Sequence, residues 1–202
     1  SPLFSIIVPT YNAAPSLARA LESLRRQTYR PLEVLLIDGG STDDTLHIAK
    51  RYTDIVTTVV SERDRGQAHA INKGFALARG DFRGWLCADD ELLPGTLQQA
   101  SHHLLRDPGV DVITGVCERR YHDGSVQIVV PPENAFAILG AQYRIEQSST
   151  FWRKSAQGSN LTLDESFHFA FDWDFFARLA KRSRMSLIAH DLASGRLVSP
   201  LP

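Results

Sequence analysis

Apolar residues in the first half of the chain alternate between short β-branched runs and longer segments with helical spacing. The short runs have the length and composition of buried strands; they occupy residues 4–8, 32–37, 55–60, 82–87 and 110–116. Between the first two runs, Leu17, Leu21 and Leu24 share one face of a predicted helix. Residues 66–79 and 97–105 predict two further helices. This alternation predicts an α/β fold, with a mostly parallel sheet and helices on both of its faces.

The second half of the chain is less regular. The local predictions there are a hairpin turn at Asp123-Gly124, a short helix at 135–139, a strand at 147–153 and a helix at 171–182. We expect a single domain over residues 1–202, with a regular half at 1–116 and a smaller half at 117–202. The smaller half is expected to build the site for a second substrate.

Composition and charge narrow the class of protein. The 202 residues are 43% hydrophobic and carry a formal net charge of −1, which is typical of a soluble globular domain and gives no indication of a nucleic-acid groove. Only two cysteines are present, both in apolar stretches, which favours free thiols in a reducing compartment. Neither a long apolar span nor a signal-peptide layout is present. Because the chain starts at Ser1 without a methionine, we interpret it as a segment whose flanking regions are missing.

Polar residues follow the first two predicted strands. In open α/β sheets, ligands bind outside the carboxyl ends of the strands. Asp38 ends the second strand and precedes two glycines, so its carboxylate could accept the N–H of a uracil ring, or it could only cap the turn. The residues after the first strand offer an aromatic ring, a hydroxyl and an amide to the same ligand; they are Pro9, Thr10, Tyr11 and Asn12.

Two adjacent acids follow the fourth predicted strand. Asp89 and Asp90 would repel each other unless a cation or hydrogen-bond donors lay nearby. A hard divalent cation, Mg²⁺ or Mn²⁺, is the natural partner, with Asp90 on the metal and Asp89 on a ribose hydroxyl. The alternative is a helix N-terminus whose acids face the macrodipole.

A third acidic pair flanks Trp173 at the start of the last predicted helix. Asp172 and Asp174 would not share one helix face, so one could look into a cleft while the other pairs with Arg178. A general base requires a carboxylate beside the acceptor hydroxyl. The alternative is that both acids only favour the helix start.

Three weaker signals remain. The polar loop at residues 61–67 contains Asp64, Gly66 and Gln67, and either contacts a ligand or is only solvated. Ser41, with Asp44 three residues later, predicts a capping box at the next helix. Of the seven histidines, only His190 is a candidate ligand.

Taken together, these motifs resemble one known family. The sequence SIIVPTYN at 5–12 and EVLLIDGGSTD at 33–43 is similar to the opening of family 2 glycosyltransferases of the GT-A fold. The segment SERDRGQAHAINKG at 61–74 and the ADD at 88–90 resemble the DXD-type region of that family. The resemblance covers the first half nearly end to end and is closest to bacterial enzymes that extend O-antigen or other surface polysaccharides.

The resemblance implies an inverting transfer of a sugar from a nucleotide donor, usually a UDP-sugar, with Mn²⁺ or Mg²⁺. The acceptor is expected to be a glycan or a lipid-linked saccharide, and the protein to act in the cytoplasm or peripherally at the inner face of the cytoplasmic membrane. By position, Pro9, Tyr11 and Asp38 would hold the base. Asp172, within FDWD at 171–174, would be the catalytic base, with Asp174 as the second choice.

Two departures from the family pattern and two other functions bear on this expectation. Ala88 replaces the first acid of the DXD-type element, and Arg196 is not followed by the Arg-x-His histidine of many relatives. The alternatives are a sugar-nucleotide-binding module without turnover and a nucleotidyltransferase. The module should have lost an acid, and the nucleotidyltransferase should carry a Gly-rich basic loop after the first strand.

Overall fold

The computed structural model describes residues 1–121, 123–131 and 145–196, with residues 189–196 described by their backbone alone. Its strands are β1 (Phe4–Thr10), β2 (Leu32–Asp38), β3 (Val56–Ser61), β4 (Phe82–Trp85), β5 (Glu91–Leu92), β6 (Val112–Arg120), β7 (Val126–Val129), β8 (Thr150–Arg153) and β9 (Met185–Arg196). Its α-helices are α1 (Ala14–Arg25), α2 (Thr45–Ala49), α3 (Gln67–Leu77), α4 (Thr96–Arg106), α5 (Lys154–Gln157) and α6 (Phe171–Ala180).

The strands of the described residues form one mixed sheet in the order β3-β2-β1-β4-β8-β6-β9-β5, with β7 paired to β6. Strands β1 to β4 run parallel, as do β6 and β9. Strand β8 lies between β4 and β6 and is antiparallel to both. The predicted α/β fold is therefore confirmed, with one antiparallel strand at the centre of the sheet.

Helices cover both faces of the sheet, as the sequence predicts. One apolar cluster packs α1 and α4 against one face, through residues such as Leu21 and Leu104. A second cluster packs α3 and α6 against the other face, through Phe75, Phe175 and Phe176. The ring of Phe176 stacks on Trp85 of β4, with centroids 5.2 Å apart, and this contact fixes α6 above the centre of the sheet.

The register of the parallel strands places their polar ends side by side. Thr10 pairs with Asp38, and Asp38 pairs with Ser61, so the three residues lie at one edge of the sheet. Strand β1 continues through Pro9, although the sequence pattern predicts an end there. The backbone nitrogen of Pro9 points toward the β4 side of the strand. The pairing of β1 with β4 ends at Ile7, so the N–H that Pro9 lacks would have had no partner in β4.

Two local predictions are wrong. The helix after β2 begins at Thr45 and not at Ser41, because the Ser41 hydroxyl donates to Asp38 while Asp43 accepts from the Thr45 backbone. Residues 147–149 form a 3₁₀ turn, and the strand begins only at Thr150. The predicted helix at 135–139 lies outside the described residues.

Strand β9 is an element that the sequence pattern did not reveal. It contains His190 and Arg196, whose side chains lie outside the description. No helix in the described ranges combines the length and the apolar character needed to cross a bilayer.

Candidate active site

A cavity of about 1010 Å³ lies at the carboxyl ends of β1, β2 and β4. Its walls come from the turn after β1, the glycines after β2, the loop before α3 and the segment after β4. The predicted site residues that line it are Pro9, Thr10, Tyr11, Asn12, Asp64, Gly66, Gln67 and Asp89. Tyr11 is 66% exposed, so its ring is available at the mouth of the cavity. The fold thus brings together most of the residues that the sequence pattern singled out.

Asp38 lies beneath this cavity, with only 1% of its surface exposed. Its carboxylate accepts hydrogen bonds from the Gly40 and Ser41 backbone N–H groups at 3.1 and 3.0 Å and from the Ser61 hydroxyl at 2.7 Å. The Ser41 hydroxyl is a further donor. Burial by itself raises the pKa of Asp38, but these donors outweigh burial and lower the pKa. The carboxylate therefore holds the Gly39–Ser41 turn, and base contact by Asp38 remains a prediction.

The turns after β1 and β2 are cross-linked by side chains. The Asn12 backbone N–H donates to the Ser41 hydroxyl at 2.8 Å. The side-chain Oδ1 of Asn12 accepts from the Thr42 backbone N–H at 2.9 Å. Asn12 has a φ of 47°, a left-handed conformation that asparagine tolerates better than most residues. These bonds explain why the wall between the two turns has a fixed shape.

Asp64 is the acid that reaches the cavity wall beside Gly39. Its Oδ1 accepts from the Gly66 N–H at 2.9 Å. A Cβ atom at Gly39 would lie 2.6 Å from Asp64 Oδ2, so the glycine leaves room for this carboxylate. The space that a side chain at position 39 would fill is occupied by an acid from the next loop.

Cys87, Asp89 and Asp90 form a compact cluster at the inner end of the cavity. Their ligand atoms lie within 4.8 Å of one another. The pKa of the Cys87 thiol is raised well above its usual value, first by burial and then by the charges of Asp90 and Asp89. The thiol is therefore neutral at physiological pH.

The two acids at the start of α6 have different surroundings. Asp174 forms an ion pair with Arg178, at 2.9 Å from Nε. Asp172 lies near enough to Cys87 for its charge to add to the raised pKa of that thiol. The expected pairing of one acid with Arg178 is therefore made by Asp174, and the placement of Asp172 in a cleft stays a prediction. The catalytic role of Asp172 remains a prediction.

Arg65, in the loop before α3, and Asn72, in α3, contact the chain that leads into α6. The Asn72 side chain exchanges two hydrogen bonds with the backbone of Leu163, both at 2.9 Å. Glu165 accepts from Asn72 at 3.1 Å and from Arg65 Nε at 3.1 Å. The segment after Glu165 exposes aromatic rings, with Phe169 86% exposed.

Sequence reasoning missed two kinds of site residue. Arg63 and Arg19 line the cavity and add positive charge. Arg63 could have been found because it adjoins Asp64 in the same polar loop, and a guanidinium matches phosphate oxygens. Gln147 donates to Asp90 at 2.6 Å, a contact that no local pattern indicates, because 57 residues separate the two positions.

Comparison with known proteins identifies the family. The family model for glycosyl transferase family 2 matches residues 5–177, which is most of the chain. The chain belongs to glycosyl transferase family 2. The family 2 domain is similar over 97% of its length to the amylovoran biosynthesis glycosyltransferase AmsB of Erwinia amylovora, at 29% identity and covering 70% of that protein. A PGL/p-HBAD biosynthesis glycosyltransferase of Mycobacterium tuberculosis is 42% identical over 95 residues, 46% of this chain and 37% of the relative.

Solved structures share the fold of this family 2 domain. Residues 1–349 of S. aureus TarS superpose with a TM-score of 0.80 at 23% identity, covering 96% of this chain and 60% of that one. The mannosyltransferase PcManGT from Pyrobaculum calidifontis, solved with GDP-Man and Mn²⁺, gives a TM-score of 0.73 at 22% identity, covering 95% of this chain and 56% of that one. The GT-A expectation is therefore confirmed. The domain spans 37% of the mycobacterial relative and 60% of the TarS chain.

Proposed function

We propose that this domain catalyses the inverting, metal-dependent transfer of a sugar from a nucleotide-sugar, most simply a UDP-sugar, to a glycan or lipid-linked acceptor in surface polysaccharide synthesis. The observation that carries the proposal is the meeting of two sites. Cys87 and Asp89 line the large cavity, and Asp172 of α6 lies close enough to Cys87 for its charge to add to the raised pKa of that thiol. A donor in the cavity would therefore present its reacting end to Asp172.

The cavity wall has the groups that a nucleoside diphosphate needs. The exposed Tyr11 ring can stack on the base, and the Asp64 carboxylate can accept a base N–H. Arg63 can pair with the diphosphate. One TarS structure is a complex with UDP-GlcNAc and the PcManGT structure is a complex with GDP-Man, which supports a nucleoside-diphosphate sugar as the class of donor for the present chain.

The acid cluster fits a hard divalent cation. Asp89 and Asp90 offer carboxylate oxygens within 4.8 Å of each other, the donor type that Mg²⁺ and Mn²⁺ prefer. Asp90 would hold the metal and Asp89 a ribose hydroxyl, while the neutral Cys87 thiol is a poor ligand for such ions. When bound, the cation supplies Lewis-acid stabilisation of the departing diphosphate.

In the proposed reaction, Asp172 takes the proton of the acceptor hydroxyl as that oxygen attacks the anomeric carbon. A bond forms between the acceptor oxygen and the anomeric carbon, and the bond from that carbon to the diphosphate oxygen breaks. The nucleoside diphosphate leaves with the electron pair on the face opposite the acceptor, so the configuration inverts. The transition state has oxocarbenium character.

The acceptor would approach over the aromatic segment beside Asp172. Phe167, Phe169 and Trp173 are exposed within seven positions of one another. Exposed aromatic rings close to a reaction centre are typical of a binding surface. The segment is held in place at its start by the Asn72 and Glu165 contacts.

The test is substitution of Asp172 by Asn. We expect Asp172→Asn to lower sugar transfer, or Mn²⁺-dependent hydrolysis of a UDP-sugar, by about 10²- to 10⁴-fold, the usual contribution of a general base. Binding of UDP, measured by calorimetry, should change little. Asp174→Asn is the matched control on the same helix, and we expect it to retain most of the activity.

Equal losses in the two variants would argue against Asp172 as the base. UDP binding without turnover in the unaltered protein, over a panel of UDP- and GDP-sugars, would favour the non-catalytic binding module instead. A product that retains the nucleotide on the acceptor would favour a nucleotidyltransferase.

A further inference from the structure

Gln147 connects the smaller half of the chain, residues 117–202, to the acid cluster. Its Nε2 donates to Asp90 Oδ2 at 2.6 Å and lies 3.3 Å from Cys87 Sγ. Gln147 begins the 3₁₀ turn before β8, and the next two residues, Ser149 included, are buried. The Ser149 hydroxyl donates to the Gly115 carbonyl of β6 at 2.9 Å, so the turn that carries Gln147 is fixed to the sheet.

The orientation of the Gln147 amide follows from its partner. An ionised carboxylate only accepts hydrogen bonds, so the amide nitrogen and not the oxygen must face Asp90. The amide oxygen is then left buried without a hydrogen-bond partner among the described residues. A buried acceptor without a partner is unfavourable for folding, so stability alone does not explain a glutamine at this position.

The electrostatics of the cluster show what the amide contributes. Asp89 and Asp90 are adjacent in sequence, and one carboxylate oxygen of each lies within 4.8 Å of the other and of Cys87 Sγ. Carboxylates this close repel one another and would turn apart. An amide N–H on Asp90 holds one carboxylate oxygen in place without adding a positive charge that would compete with a cation.

We propose that Gln147 is a positioning residue that fixes the Asp90 carboxylate and thereby sets the affinity of the cluster for a divalent cation. This inference depends on the proposed function, since it assigns the cation to Asp90. Residues that hold a metal ligand through a hydrogen bond commonly change metal affinity about 10- to 100-fold when they are replaced. Gln147 belongs to the smaller half of the chain, so the cation site is completed only when both halves of the chain are in place.

The test is direct titration of Mn²⁺, followed by electron paramagnetic resonance of the free ion, with and without UDP. We expect Gln147→Met, which keeps the length of the side chain but removes the donor, to weaken Mn²⁺ binding at least about 10-fold. Gln147→Asn, which keeps the amide on a shorter arm, should also weaken it. Melting temperatures of the same variants in EDTA, followed alongside, separate a loss of Mn²⁺ affinity from a loss of folded protein, since Asp90 is buried.

Gln127→Met is the matched control. Gln127 is an exposed glutamine on β7 outside the cavity lining, so this variant makes the same change of side chain away from the acid cluster. Its metal-only titration should agree with that of the unaltered protein within about 2-fold. Unchanged Mn²⁺ affinity in both Gln147 variants would overturn the inference, as would equal weakening in the Gln127 control. Absence of Mn²⁺ binding in the unaltered protein would instead contradict the metal dependence of the proposed function.

Discussion

Asp38 shows how burial changes what an acidic residue can do. From the sequence alone, an acid at a strand end next to two glycines is a candidate ligand group. In the folded protein its oxygens receive hydrogen bonds from Ser41, Gly40 and Ser61. The side chain therefore supports the turns that carry Tyr11 and Gly39, and it affects the cavity through the position of those turns.

The lowered pKa of Asp38 predicts a pH-dependent contribution to stability. Its pKa is lower in the folded state than the unfolded value of about 3.9, so the stabilisation is present above about pH 4 and is lost as the pH falls through the folded pKa. We expect Asp38→Asn to lower the free energy of unfolding at pH 7 by about 1–3 kcal/mol. The difference from the unaltered protein should shrink below about pH 4. Urea denaturation at about pH 7, 5, 4 and 3 measures the difference in the free energy of unfolding between the two proteins.

The exposed Asp44→Asn is the control for this measurement, and we expect it to shift the free energy of unfolding by less than about 0.5 kcal/mol. Glu33, whose pKa is also lowered, contributes acid sensitivity in both proteins and cancels in the comparison. A difference that stays constant from pH 7 to pH 3 would show that Asp38 acts by packing and not by charge.

Single residues of the candidate site could be predicted where the strand pattern alone places them. Asp89 follows a buried apolar run, so its location at the sheet edge follows from topology. The set of hydrogen bonds that the Asp38 carboxylate accepts could not be predicted, because the donors come from separate turns that meet only in the folded chain. The same holds for Gln147, whose partner is determined by β8 lying beside β4.

At the scale of elements, Asn72 of α3 fixes the chain that leads into α6. Its side chain satisfies both backbone groups of the buried Leu163 and reaches Glu165. We expect Asn72→Ala to lower the free energy of unfolding by about 2–3 kcal/mol, because it leaves buried polar groups without partners. Urea denaturation measures the change, and UDP binding should survive it.

Arg65→Ala is the comparison for the Asn72 variant. It removes the ion pair to Glu165, but Arg65 is mostly exposed, so we expect a loss of at most about 1 kcal/mol. If the two variants were destabilised equally, the backbone contacts of Leu163 would not be the source of the effect.

Most elements of the first half could be predicted because their periodicities are strong and their neighbours along the chain are also their neighbours in space. Strand β8 could be predicted as a strand only approximately, and nothing in its sequence indicates an antiparallel position between β4 and β6. Strand β9 was missed. The spacing of apolar residues along a segment shows which of its faces is buried. It does not show which strand the segment pairs with.

At the scale of the whole molecule, β8 decides how the two halves are joined. It comes from the second half of the chain, yet it pairs with β4 of the first half and with β6. Without β8, the sheet would be interrupted between β4 and β6. The single-domain expectation over residues 1–202, although still a prediction, is supported by this arrangement.

We therefore expect one cooperative thermal transition for the full chain. Differential scanning calorimetry should give a calorimetric enthalpy equal to the van't Hoff enthalpy, the signature of two-state unfolding. Saturating UDP with Mn²⁺ should move the whole transition upward by mass action and not split it. Two resolved transitions, or a ligand shift confined to one of them, would show that the halves unfold separately.

The close approach of Gly39 and Asp64 has a consequence for how such sites diverge. A methyl group at position 39 would meet the Asp64 carboxylate at 2.6 Å, so the two positions compete for one volume. A side chain at position 39 would therefore displace the Asp64 carboxylate from its present place in the wall. A chain that carries a larger residue at position 39 should carry a shorter one at position 64. Placing Asp at position 39 and Gly at position 64 would move the carboxylate from the loop before α3 to the turn after β2. Its charge would stay in the cavity wall.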